Sequence, residues 1–136
     1  KRSTLTRKTK ELYDAPPKVN RIYRETIEAY NNSLPLLCAV GIRAIIEAVC
    51  NEEKIEGDDL KIKIDGLCSK GIIPKKVGNA LQSNRIIGNL SAHEISLFSE
   101  NTLGFAIDLI ESMLDFLYNT ETREQILKSD LQGKGK

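Results

Sequence analysis

Apolar positions in this chain recur at intervals of three and four, the spacing of one face of an α-helix. Val19, Ile22, Tyr23, Ile27 and Tyr30 form one such stripe after Pro16-Pro17, and Asn31-Asn32-Ser33 breaks it. Pro35 suits a first helical turn, with Ser33 or Leu34 at the cap. From Leu36 to Cys50 the chain is apolar almost all round, which predicts a helix in the middle of a bundle. Arg43 and Glu47 are its exceptions, four apart on one face. At least one of them is expected to be largely buried and paired, with Glu47 meeting Arg43 or Arg85.

Asp58 or Asp59 can cap a shorter helix whose stripe is Leu60, Ile64, Leu67 and Cys68, with Gly71 as its stop. A further helix is predicted from about Lys75, its inner face running through Val77, Ala80, Leu81, Asn84, Ile87 and Gly88. The last strong helix is predicted over Thr102–Tyr118, and a short tail helix is expected after Thr120. Gly133-Lys134-Gly135-Lys136 is expected to be disordered. The fold class is therefore all-α: four main helices with a short one between. The division is a basic arm or linker over 1–15, a helical domain over 16–120, and a short helix and flexible tail over 121–136.

Composition narrows the setting. Of 136 residues, 40% are apolar and 29% charged, and there is no Trp, so the core is aliphatic and the chain is globular. No run approaches the roughly 20 apolar residues of a membrane helix. A cytoplasmic location is expected. The chain does not begin with Met and is expected to be part of a longer protein. Five of its 20 basic residues (Lys1, Arg2, Arg7, Lys8, Lys10) lie in the first ten, with no acid among them. That arm is expected to be a solvated tail, with nucleic-acid contact as the functional alternative.

Cys38, Cys50 and Cys68 form no CxxC pair and read as buried free thiols. Three Cys with His93 match no common zinc spacing, so no metal and no cofactor is expected. Cys68 is the best candidate for a thiol nucleophile, but it lies on an apolar stripe, which favours packing.

The candidate chemistry lies in Arg85-Ile86-Ile87-Gly88-Asn89-Leu90-Ser91-Ala92-His93, which holds the chain's single His. On a continuing helix Asn89 lies about 40° and His93 about 80° round from Arg85. All three would then face one surface. Arg can hold phosphate oxygens, and His can move protons near neutral pH. The plainer reading is a helix end carrying a surface His and a salt-bridged Arg.

The string R-x-x-G-N-x-x-x-H ahead of an apolar final helix resembles the HEPN superfamily, most closely the uncharacterised-function branch often found beside restriction–modification subunits. Its R-φ-x(4–6)-H motif matches Arg85, Ile86, six residues and His93. Gly41–Glu47 resembles that branch's R-x-x-x-E second helix, and Leu60–Leu67 its L-x-x-K-I-x-x-L stretch. The likeness covers about residues 16 to 118. It implies a helical bundle that forms a homodimer. It also implies metal-independent endoribonuclease activity or noncatalytic RNA binding, in bacterial defence or restriction, beside a fused or associated subunit.

Carried over, Arg85 and His93 are the catalytic pair, Arg85 on the scissile phosphate and His93 on the 2′-hydroxyl or the leaving oxygen. Asn89, Arg43 and Glu47 would assist substrate binding. Active members often place Asn, Asp or His directly after the Arg; this chain has Ile86. Cleavage needs both an acid and a base, and with one His per chain these must come from different chains or from solvent, so an active enzyme is expected to be a dimer. The alternative is a noncatalytic dimerisation or protein-interaction module.

Overall fold

A computed structural model describes residues 6–88 and 90–134, with side chains described as far as Asn119. Every regular element among the described residues is helical. The helices are α1 (Pro17–Asn31), α2 (Pro35–Glu52), α3 (Leu60–Ser69), α4 (Lys75–Ser83), α5 (Ala92–Ser96) and α6 (Glu100–Lys134). Six helices thus replace the expected four-plus-one.

Local chemistry sets most boundaries. Proline begins both α1 and α2, where its missing N–H costs nothing. Asp59 caps α3, its side chain accepting from Ile62 N at 2.9 Å. Gly71 follows at φ +71°, a left-handed turn that suits glycine.

The packing is aliphatic, as the composition required. Helix α2 lies against α1, α3, α5 and α6. Cys38, Ile42, Ile45, Ile46 and Val49 on α2 are fully buried, and so are Ile107, Ile110, Met113 and Leu114 on α6. Burying each Leu or Ile contributes roughly 1.5–3 kcal/mol. Helix α3 crosses α4 at Gly78, where an added Cβ would fall 2.1 Å from Cys68 Sγ.

Three expectations are corrected. Helix α2 is not apolar-buried all round: Leu37 is 58% and Val40 47% exposed, and both line a groove of about 530 Å³ between α1 and α2. Helix α6 does not stop at Tyr118 but absorbs the tail helix and runs to Lys134, because neither Gly nor Pro interrupts residues 105–132. Gly133 and Lys134 belong to it; Gly135 and Lys136 lie outside the described residues. The arm, over residues 7–14, is not a solvated tail. It lies along α1 and α6, with Leu12 buried and the Arg7 guanidinium on Asp108 and Glu111.

Candidate functional site

The segment from Arg85 to His93 is not one helix. Helix α4 ends at Ser83, and Asn84 is extended, with ψ 131°. Its side-chain oxygen accepts from Ile86 N at 3.0 Å, which offers the backbone a partner outside the helical ladder. Arg85–Ile87 then makes a single 3₁₀ turn. Ile86 and Ile87 are buried and anchor that turn, which leaves Arg85 exposed. The guanidinium carbon of Arg85 stands 5.7 Å from the centre of the Phe98 ring.

Gly88 is also extended. Its missing Cβ would stand 3.3 Å from the Arg85 carbonyl oxygen, a tight approach within the turn itself. Asn89 lies outside the described residues. Helix α5 starts afresh with a capping box. Glu94 N donates to Ser91 Oγ at 3.2 Å, and Ser91 N donates to Glu94 Oε1 at 3.1 Å. The signal was present in the sequence as Ser91-x-x-Glu94, but the continuing-helix reading overlooked it.

His93 therefore reaches its place from a second helix and not by helical spacing from Arg85. It is exposed. Glu94, next to His93 in the chain, feels the charge of both. Hydrogen bonds from Ser91 hold its carboxyl below the usual range, and the charges of Arg85 and His93 push the same way. The result is an open ridge bearing a guanidinium, an imidazole and a carboxylate.

Arg43 approaches this ridge from beneath. Its Nη1 donates to the carbonyl oxygens of Ile86 at 2.5 Å and Gly88 at 2.6 Å. These carbonyls follow the end of α4 and have no helical donor to satisfy them. Arg43 is thus committed to the turn, where it positions Arg85. Glu47 pairs with neither Arg43 nor Arg85. Its partner is Lys63 of α3, one helix away, so the expected link to the phosphate site is absent.

Sequence reasoning missed Phe98. It supports Arg85 and also lines a pocket of about 260 Å³ with Tyr30, Pro35, Cys38, Glu100 and Leu103. Burial pushes the Cys38 thiol up to about 12 and Cys50 up to about 11. The Cys68 thiol is also raised, and its sulfur packs against Gly78, as a structural thiol does. Among the described residues no three His, Cys, Asp or Glu side chains are grouped to hold a metal. No described helix is long and apolar enough to cross a membrane.

No curated protein and no solved structure matches the chain. A family described as a domain of unknown function, DUF4145, matches residues 24–130, which takes in all six helices except the first turns of α1 and the end of α6. On that match across most of its length, the chain belongs to the DUF4145 family.

Proposed function

We propose that this chain is a HEPN-like RNA-binding domain that cleaves RNA without a metal when two copies bring their His93 residues into one site. The observation that carries the reading is that Arg85 and His93 are both exposed and both within electrostatic reach of Glu94, with Arg85 over Phe98 and its turn held by Arg43. An open ridge suits a polymer better than a small metabolite. Arg85 contacts a phosphate of the RNA chain.

In the cleavage step one His93 takes the proton of a 2′-hydroxyl, whose oxygen attacks the adjacent phosphorus. The bond to the 5′-oxygen breaks, and that oxygen takes a proton from His93 of the partner subunit. The products are a 2′,3′-cyclic phosphate and a 5′-hydroxyl. Arg85 stabilises the charge that grows on the phosphate oxygens. The genetic setting implied by this reading is bacterial defence or restriction, with an associated subunit.

The test is incubation with mixed RNA in EDTA at low salt, where phosphate contacts are strongest. Arg85→Ala is expected to weaken RNA binding at least tenfold, measured by anisotropy, and to remove cleavage with it. His93→Ala is expected to abolish cleavage on gels and to change binding less than threefold. Equal loss of binding in both variants, with no cleavage by the unsubstituted chain, leaves RNA binding alone. An unsubstituted chain with no RNA affinity rejects the proposal.

One observation favours a second reading, a noncatalytic homodimerisation or protein-interaction module. Leu34, Leu37 and Val40 are exposed beside Ile22 and Ala44 along the α1–α2 groove. Under that reading Leu37→Glu abolishes self-association, and neither Arg85→Ala nor His93→Ala has any effect on RNA.

A further inference from the structure

The arm is held in the manner of a bound peptide. Two asparagines grip its backbone through both ends of their amides. Asn31 Oδ1 accepts from Arg7 N at 2.9 Å, and Asn31 Nδ2 donates to Arg7 O at 2.9 Å. Asn119 Oδ1 accepts from Tyr13 N at 2.9 Å, and Asn119 Nδ2 donates to Glu11 O at 2.8 Å. Between them the Tyr23 hydroxyl accepts from Lys10 N at 2.8 Å, and beyond them the Asp14 N–H donates to the Tyr118 carbonyl at 3.2 Å. These contacts read the backbone and are indifferent to side chains.

Two positions are read by side chain. Arg7 Nη2 donates to Asp108 Oδ1 at 2.7 Å and Glu111 Oε1 at 2.9 Å, with its guanidinium carbon 5.8 Å from the centre of the Tyr30 ring. Burial opposes its charge, but the two carboxylates more than compensate, so the guanidinium is held above its ordinary range. The Tyr23 hydroxyl donates to Glu111 Oε2 at 2.6 Å, which fixes the carboxylate that receives Arg7. Leu12 is the second anchor, 7% exposed. Lys8, Thr9, Lys10, Glu11 and Tyr13 all face solvent.

We propose that the cleft between α1 and α6 is a peptide-recognition site for a segment carrying Arg and, five residues later, Leu. In the free chain its own residues 7–14 fill it; in a complex, a partner protein's segment of that pattern takes their place. The exchange is feasible because residues 7–14 are linked to α1 by the short Ala15-Pro16-Pro17 segment and share no sheet or helix with the bundle. A tethered arm competes at an effective concentration on the order of millimolar, so an incoming peptide needs a comparable excess or a weakened arm. This inference is independent of the RNA reading and involves neither Arg85 nor His93.

The test uses the full chain and a fluorescent peptide of residues 6–15. Arg7→Ala weakens the arm and leaves every groove residue in place. The peptide is expected to bind that variant at least tenfold more tightly than the unsubstituted chain and to raise its melting temperature. A peptide with Ala in place of its Arg does neither. In the unsubstituted chain, millimolar peptide is expected to speed hydrogen exchange at the Arg7, Lys10 and Tyr13 amides at least threefold. That measurement decides alone if Arg7→Ala does not fold. Unchanged exchange together with no binding to the variant overturns the proposal, and so does equal binding of the two peptides.

Discussion

Arg43 shows how one side chain can hold a site that it does not belong to. A cation on an apolar helix face must be paired or hydrogen-bonded, and two backbone carbonyls satisfy this one. Hydrogen bonds to a charged group contribute roughly 1.5–3 kcal/mol when buried, and less for a half-buried donor. Arg43→Ala is therefore expected to destabilise the fold by about 1–2 kcal/mol in urea unfolding. Amide exchange at Ile86 and Gly88 should rise by more than the global loss accounts for, and Arg43→Lys should recover part of both. The exceptional character of Arg43 was legible in the sequence. Its partner was not, because the carbonyls left unpaired depend on where α4 ends. Glu47 teaches the same lesson: spacing placed it on Arg43's face, but its ion pair is with Lys63 on another helix.

At the scale of elements, the crossing of α3 and α4 rests on the absence of one methyl group. A Cβ on Gly78 would stand 2.1 Å from Cys68 Sγ, so the thiol must swing aside or the helices separate to admit it. Gly78→Ala is expected to cost about 1–3 kcal/mol by overpacking. Cys68→Ala removes the obstructing sulfur; the next neighbours of the new Cβ, Ile64 Cγ2 and Ile73 Cδ1, lie at 3.7 and 3.8 Å. The double variant should then be more stable than Gly78→Ala alone, a coupling that a double-mutant cycle of melting curves reads directly. Helix starts were well legible here, since Pro35 and Asp59 act through their own backbone or side chain. Helix ends were less so. The end at Ser83 depends on Asn84 turning its oxygen to Ile86 N, and the lack of an end at Tyr118 depends on good helix formers beyond it.

For the molecule as a whole, the buried thiols and the buried phenols of Tyr23 and Tyr118 set the response to alkali. Burial pushes Cys38 to about 12, Cys50 to about 11 and Tyr118 to about 12, each above its ordinary value. The folded state therefore keeps protons that the unfolded chain releases, so stability falls as pH rises above the unfolded pKa of each group. Once an unfolded thiol is ionised, each one contributes a slope of about −1.4 kcal/mol per pH unit until its folded counterpart titrates. Melting temperature is expected to hold between pH 7 and 8 and to fall steadily from pH 9 to 11. Replacing Cys38 and Cys50 together by Ala should flatten that fall, whatever it does to stability at pH 7. A curve with unchanged slope in the double variant would assign the alkaline response to other groups.

The sequence by itself determined the helical class, the main apolar stripes, the proline starts and the cap at Asp59. Each follows from side-chain periodicity or from a residue acting on its own backbone. It also singled out Arg85 and His93, because a lone His near an Arg is visible in one dimension. Tertiary structure alone decided the rest. It put Phe98 under Arg85, whereas the break between Arg85 and His93 was local, set by Asn84 and the Ser91–Glu94 capping box. It also sent Glu47 to Lys63 and laid the basic arm into a cleft where Asn31, Tyr23 and Asn119 wait. These are pairings between groups far apart in the chain. No periodicity encodes them, since each depends on where whole helices come to rest.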